Sequence, residues 1–287
     1  MVGALATAHL AQALGARAVL GGTTWERRVV DPLPGPRALA EIDAAEPLGE
    51  LVALARPSTT GPGGFAFAES RLAGVLGEPT VLVDPGGGPR ALAHELVAVL
   101  PRLGCDAVAL VDVGGDALAH GDEPGLASPL CDAVLVAAAE GLAAAGVPTV
   151  VGVIGAGCDG ELTPGEVLDR VGEVAAAGGF LGAWGITPAA GARMEAAVAA
   201  VPTEASAAAL RCARGERGEV EIRGGRRTVR LTTVGALTFY LDPAATMASA
   251  ARLAAAVRGA ADLAEAHERL AALGVRTELE LEREAAS

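Results

Sequence analysis

Uninterrupted apolar runs, each closed by an aspartate and glycines, recur in the first half of the chain. Thr80–Val83 and residues 107–111 are such runs, and both are followed by Asp-x-Gly-Gly and then by a helical pattern of apolar positions. A strand without polar alternation is buried on both faces, as in parallel sheets covered by helices. We therefore predict a doubly wound, mostly parallel, Rossmann-like α/β fold.

After Gly178 the uninterrupted apolar runs give way to segments in which apolar and polar residues alternate. Two alternating segments, 219–222 and 228–232, flank Arg223-Gly-Gly225 and predict a β-hairpin. Residues 276–282 also alternate and predict an edge strand. No segment has the composition of a flexible linker, so residues 1–287 are predicted to form a single α/β domain. Further strands are predicted at residues 17–21, 27–31, 51–55, 149–154 and 236–241, and helices at residues 2–14, 68–76, 90–103, 129–145, 163–177, 190–201, 204–213, 244–257 and 260–273.

Composition narrows the possible classes of protein. Apolar residues make up 51% of the chain and aromatic residues only 2%, so alanine, valine, leucine and glycine must fill the core of a folded protein. All 22 positions that carry a lysine or an arginine are arginine. Pyridoxal-phosphate enzymes need a lysine for the Schiff base, and P-loop nucleotidases need one at the phosphates. Both classes are therefore excluded.

The net charge and the spacing of the cysteines indicate which partners and which cellular location to expect. The net charge of −13 opposes binding to nucleic acid, whose phosphates attract basic surfaces. Four widely separated cysteines predict reduced thiols in a cytoplasmic protein. The apolar stretch 133–158 contains Glu140 and Pro148, so it predicts a helix and a strand rather than a membrane span. We expect a small-molecule ligand and neither a nucleic-acid nor a membrane partner, and homo-oligomerisation is left open.

The two Asp-x-Gly-Gly segments are the strongest candidates for chemistry. Glycine lets backbone amide groups approach a phosphate, while the carboxylates of Asp84, Asp112 and Asp116 suit a substrate hydroxyl or a divalent cation such as Mg²⁺. The alternative is structural, with glycines that form tight turns and aspartates that cap helices. Asp116 adds a carboxylate beyond the glycines of its loop, which favours the functional interpretation there.

A third loop, Gly21-Gly-Thr-Thr-Trp-Glu26, follows a predicted strand and gathers two hydroxyls, an indole and a carboxylate. Trp25 either stacks on a ring of the ligand or covers the sheet edge. Asp159 and Glu161 follow the strand predicted at 149–154 and either join the same cleft or begin the next helix. The acidic loop at His120 is interpreted as solvated, because two carboxylates and one imidazole are too unspecific for a metal site.

These loops predict an enzyme that acts on a small phosphorylated or nucleotide-like metabolite at the C-terminal edge of the sheet, as a metal-assisted transferase, hydrolase or lyase. The alternative is a non-catalytic small-molecule-binding or regulatory protein on the same fold. Because the chain has no lysine, the groups that stabilise an anionic transition state must be Arg27, Arg28 or Arg90, backbone amides or a metal. The candidate catalytic residues are Glu26, Asp112 and Asp116, and the candidate ligand-binding residues are Gly22, Thr23, Thr24, Trp25, Asp84, Gly86, Gly87, Gly114, Gly115 and Asp159.

Two motifs resemble those of a known family. The run from Gly21 to Arg37 and the run Val111-Asp-Val-Gly-Gly-Asp-Ala117, with its continuation His120-Gly-Asp-Glu-Pro124, are similar to an uncharacterised prokaryotic family, domain of unknown function 1152. The resemblance spans nearly the whole chain and implies the α/β architecture. Members of that family begin with a strand and a poly-glycine loop ending in Gly-Asp, whereas this sequence begins at the helix that follows. The resemblance therefore implies either a misassigned start or a chain without that strand and one phosphate-type loop.

Overall fold

Most apolar runs form strands or helices where the sequence predicts them. The computed structural model describes residues 1–286. Within that range the strands are β1 (Gly21–Thr23), β2 (Glu46–Pro47), β3 (Val52–Ala55), β4 (Thr80–Val83), β5 (Val108–Val113), β6 (Thr149–Ile154), β7 (Phe180–Gly185), β8 (Gly218–Ile222), β9 (Arg227–Leu231) and β10 (Leu237–Leu241). The helices of the same range are α1 (Ala4–Ala13), α2 (Ala68–Leu76), α3 (Gly88–Leu103), α4 (Pro129–Ala144), α5 (Pro164–Ala176), α6 (Pro188–Ala200), α7 (Glu204–Ala213), α8 (Pro243–Ala248), α9 (Arg252–Val257), α10 (Leu263–Ala272) and α11 (Glu278–Ala286). None of these helices is long and apolar enough to cross a membrane.

Eight of the ten strands described for residues 1–286 belong to two mixed four-stranded sheets. In the first sheet, with strand order β1-β4-β3-β2, β1 and β4 are parallel and β3 is antiparallel to both of its neighbours. In the second sheet, with strand order β5-β6-β10-β7, β5 and β6 are parallel and β10 is antiparallel to both of its neighbours. The fold is therefore α/β with mixed sheets, and the prediction of a mostly parallel sheet is right only for the pairs β1–β4 and β5–β6.

Helices cover both faces of the second sheet. Val151 and Val153 of β6 pack into a core formed with α4, α5 and the helices from α8 onwards. Ile154 packs with α1 and with Met194 of α6 in another core. Side chains alternate between the two faces of a strand, so a strand covered on both faces is apolar throughout. This explains the uninterrupted apolar run at 149–154.

A long excursion separates two strands that pair with each other. β7 and β10 are hydrogen-bonded neighbours, yet residues 186–236 lie between them in the chain. That excursion contains α6, α7 and the predicted hairpin, which is formed by β8 and β9 as an antiparallel pair. The Arg223-Gly-Gly225 turn lies where the sequence predicts it. The hairpin lies within this excursion and belongs to neither four-stranded sheet.

Two strand predictions are wrong, and in each case local bonds explain why. Residues 27–31 form a turn in which the N–H groups of Val30 and Asp31 both donate to the carbonyl of Arg27. The edge strand predicted at 276–282 is instead the start of α11. The carboxylate of Glu278 accepts hydrogen bonds from the first turn of α4, so tertiary contacts rather than alternation decide this segment.

Two other boundaries differ from the prediction. The helix predicted at 244–257 is broken into α8 and α9, because Ser249 leaves the helical conformation with φ −127° and ψ −82°. The strand predicted at 17–21 begins only at Gly21, where pairing with β4 starts.

Candidate functional site

The turn after β5 brings two aspartates together at the C-terminal end of the parallel pair β5–β6. Asp112 is the penultimate residue of β5, and its Oδ2 accepts a hydrogen bond of 2.8 Å from the N–H of Gly115. Gly114 and Gly115 have positive φ values of 132° and 115°. The chain then enters a short 3₁₀ turn that begins with the buried Asp116. Glycine is needed in this turn because other residues rarely adopt such φ values.

Three more carboxylates surround Asp116. Asp132 comes from the first turn of α4, and Asp159 and Glu161 come from the loop between β6 and α5. Carboxylate oxygens of Asp112, Asp116 and Asp132 lie within 4.8 Å of one another, as do those of Asp116, Asp159 and Glu161. Asp116 thus belongs to both triads. We call these five carboxylates the acidic cluster.

Burial raises the pKa values of the four aspartates of the acidic cluster. Burial raises the pKa of Asp112 to about 6, and burial together with the negative charges of Glu161 and Asp112 raises that of Asp159 to about 8. For Asp116, burial and then the charge of Asp132 raise the pKa well above its usual range. The pKa of Asp132 rises for the same kind of reason. So many buried carboxyl groups require protons or cations to balance their charge.

Glu161 differs from the other four carboxylates because both of its oxygens accept hydrogen bonds and it pairs with arginines. Its Oε2 accepts the N–H groups of Ala127 and Ser128 at 2.7 and 2.8 Å, and its Oε1 accepts the Ser128 hydroxyl. Arg227 lies 3.1 Å from the same Oε1. Glu161 therefore anchors the loop before α4, and Asp112, Asp116, Asp132 and Asp159 are the better candidates for cation ligands.

The end of β1 and the loop after it approach the first turn of α4. The hydroxyl of Thr23, the last residue of β1, lies close to the thiol of Cys131, the neighbour of Asp132. Trp25 packs against the core, and its Nε1 donates a hydrogen bond of 3.0 Å to Glu282 of α11. The structure thus favours a packing role for Trp25. Thr24 is fully buried, and its hydroxyl finds no hydrogen-bond partner among residues 1–286.

Glu26 belongs to a different pair of carboxyl groups. It accepts a hydrogen bond from the N–H of Ala68, and burial raises its pKa. Burial and the nearby charge of Glu26 raise the pKa of Glu69 to about 8. Glu69 lies so close to Gly22 that a Cβ atom there would come within 1.9 Å of its Oε1. The absence of a side chain at Gly22 therefore makes room for the carboxyl group of Glu69, which lies in the first turn of α2.

The Asp84 loop lies in the first sheet, at the end of β4. Asp84 Oδ1 accepts a hydrogen bond of 2.7 Å from the N–H of Gly86 and so caps the short turn that follows. A Cβ atom at Gly87 would collide with Leu51. The contacts described for residues 1–286 do not join Asp84 to the acidic cluster. They support the structural interpretation of this loop, while a cleft shared by both loops stays a prediction.

The structure thus unites only part of the predicted site. It brings Asp112, Asp116 and Asp159 together around Gly114, and it adds Asp132, which the sequence analysis missed. A signal for Asp132 exists, since Ser128-Pro-Leu-Cys-Asp132 places a carboxylate in the first turn of the helix after the glycine loop. The loop at His120 is only partly solvated: Asp122 is exposed, but Glu123 is buried and accepts the N–H groups of residues 120 and 121.

The fold and the acidic cluster define an α/β protein whose candidate site lies after the parallel strands β5 and β6. The chain belongs to the family described as "Protein of unknown function (DUF1152)", whose model matches residues 1–286. This confirms the resemblance of the two motifs and its extent. No curated protein and no solved structure matches the chain.

Proposed function

We propose that the protein is an enzyme that acts on a small phosphorylated or nucleotide-like metabolite with the help of a divalent cation such as Mg²⁺. One observation carries the proposal. The ion pairs described for the acidic cluster all involve Glu161, with Arg223 and Arg227, and the other four carboxyl groups have none. Such groups need protons or cations to balance their charge. A divalent cation would take the place of the protons that otherwise balance these four groups.

The donor set fits a hard cation. Asp112, Asp116, Asp132 and Asp159 supply only carboxylate oxygens, which are the ligands that Mg²⁺ and Mn²⁺ prefer. A cation bound there would polarise a phosphoryl oxygen or acidify a bound water molecule. The position after the carboxyl ends of parallel strands is also where doubly wound folds, to which we assign this chain, bind their ligands.

The protein's own groups would orient the substrate. The Ser128 hydroxyl lies 3.5 Å from Asp116 Oδ2, and Thr23 lies close to Cys131 in the first turn of α4, so both hydroxyls are candidates for this role. We propose a cytoplasmic protein with a small-molecule ligand, in line with the four free cysteines and the net charge of −13.

The test is Mn²⁺ binding followed by turnover. Isothermal titration of the purified chain with Mn²⁺ should show saturable binding that competes with Mg²⁺. A panel of phosphorylated metabolites and nucleotides is then assayed for consumption with Mg²⁺ and with EDTA. Consumption only with Mg²⁺ supports the proposal. A ligand that raises Tm yet is never consumed would instead identify a binding protein, and absence of Mn²⁺ binding would overturn the cation site.

A further inference from the structure

Two arginines of the β8–β9 hairpin converge beside Glu161, and a third arginine, from a distant segment of the chain, lies near one of them. Arg227 Nη1 lies 3.1 Å from Glu161 Oε1 and also donates a hydrogen bond of 3.1 Å to the carbonyl of Asp159. Arg223 Nη2 lies 3.8 Å from the same Oε1. Arg27, which follows the loop after β1, pairs with Glu204 at 3.6 Å. The hairpin and the β1 loop thus bring guanidinium groups to one side of the acidic cluster.

The three guanidinium groups repel one another. Burial, then the charge of Arg227 and, more weakly, that of Arg27 lower the pKa of Arg223, although Glu161 and Asp159 oppose this. Only two carboxylates, Glu161 and Glu204, lie within ion-pair distance of these arginines among the described residues. Glu161 is, in addition, already bonded to the loop before α4. An incoming anion would therefore be attracted by positive charge that the fold leaves partly unbalanced.

The backbone of the hairpin holds Arg223 in place. Arg223 adopts a left-handed conformation with φ 53°, which is uncommon for a residue with a side chain. Its N–H donates a hydrogen bond of 2.8 Å to Glu204 in the first turn of α7. Glu204 therefore fixes both the turn of the hairpin and Arg27. Residues held in such conformations cluster at binding sites, where the surrounding structure maintains them.

We propose that Arg27, Arg223 and Arg227 form an anion subsite that receives a phosphate or pyrophosphate group beside the acidic cluster. The guanidinium group offers parallel N–H donors that match the oxygen edge of a phosphate. Glu161, the partner of Arg223 and Arg227, also lines a cavity of about 750 Å³ between the start of α5 and β9, and the three arginines lie outside the lining of that cavity. The subsite deepens the proposed function, since it names the anionic group of the substrate.

The hairpin supplies its own control. Arg226 lies in the same turn but is exposed, and its Nε bonds only to the carbonyl of Arg223 in the contacts described for residues 1–286. Arg223→Gln and Arg226→Gln change the net charge equally. Arg223 lies farther from Glu161 than Arg227 does, so loss of the Arg223 guanidinium group disturbs the loop between β6 and α5 less than loss of the Arg227 group would. Arg223→Lys keeps the charge but loses the guanidinium fork.

The experiment is titration of the full chain with pyrophosphate in EDTA, with circular dichroism and Tm as checks of folding. The wild type and Arg226→Gln should bind with similar affinity, Arg223→Gln at least tenfold more weakly, and Arg223→Lys in between. Equal losses for Arg226→Gln and Arg223→Gln would overturn the subsite, as would a wild type that does not bind. Because EDTA removes divalent cations, this result is independent of the Mn²⁺ titration that tests the proposed function.

Discussion

At the scale of single residues, the turn after β5 depends on the backbone freedom of Gly115. A Cβ atom at this position would come within 2.5 Å of Val167 Cγ2, and φ is 115°. We expect Gly115→Ala to lower the free energy of unfolding by about 2 kcal/mol or more, because strain and a steric clash add. Urea unfolding followed by circular dichroism measures the change.

Gly172 provides the matched control for this substitution. It lies in α5, its position is exposed, and a Cβ atom there would meet nothing within 4 Å. Gly172→Ala should stabilise the protein by about 0.5–1 kcal/mol, since alanine loses less conformational entropy in a helix. A similar result for both variants would show that the Gly115 turn adapts freely.

Asp116 tests whether the acidic cluster serves a ligand or the fold. Burial and the charge of Asp132 raise the pKa of Asp116 well above its usual range, which favours the protonated form of this carboxyl group. Asp116→Asn imitates that protonated state and should change the free energy of unfolding in EDTA by no more than about 1 kcal/mol. The same variant should lose the rise in Tm that Mn²⁺ produces. A sharp fall of Tm in EDTA with unchanged Mn²⁺ affinity would make the carboxylate structural.

At the scale of elements, α11 links two parts of the site. Glu278 accepts the N–H groups of Leu130 and Cys131 at 3.0 and 2.7 Å, and Glu282 accepts those of Trp25 and Gly35. We expect Glu278→Ala to cost about 1–2 kcal/mol, as for the loss of a helix cap. Urea unfolding is again the measurement.

Glu284 of the same helix is the control for Glu278→Ala. It is exposed and pairs with Arg276 at 2.6 Å. Exposed ion pairs contribute little, so Glu284→Ala should cost less than about 0.5 kcal/mol. Equal costs for the two variants would mean that α11 is held by its charges in general rather than by the bonds of Glu278 to α4.

The limits of prediction from sequence also appear at this scale. Strands such as β4 and β6 were predictable because burial on both faces leaves an uninterrupted apolar run. Residues 276–282 were mispredicted because their alternation is local, whereas the bonds of Glu278 to α4 are set by tertiary packing. The same distinction holds for the site. Asp112 and Asp116 were predictable because they flank the two glycines at the end of an apolar run. The proximity of Glu69 to Gly22, by contrast, depends on how α2 packs, which the local sequence does not reveal.

At the scale of the whole molecule, buried carboxyl groups couple folding to proton binding. The pKa values of Asp112, Glu278 and Asp159 rise to about 6, 7 and 8, and each is above the value of an unfolded chain near 4. The folded protein therefore binds more protons, so the stability these groups provide is complete below about pH 4 and is lost as pH rises through 6 to 8.

We accordingly expect Tm in EDTA to fall by about 5 °C or more between pH 5 and pH 8.5. Saturating Mn²⁺ should reduce that fall, because a cation replaces the protons on the acidic cluster. Asp159→Asn should reduce it too, since it removes the titration of Asp159. Differential scanning calorimetry across this pH range is the measurement. A Tm that stays constant or rises with pH in EDTA would contradict the raised pKa values.

The excursion between β7 and β10 has a consequence for the order of assembly. β5, β6 and α4 are close in the chain, so the carboxylates they carry can meet through short loop closures. The hairpin lies in the excursion that ends at β10, and the pairings of β10 with β6 and β7 join segments of greater sequence separation, which form more slowly. We therefore expect the acidic cluster to assemble during folding before the arginines of the hairpin reach it.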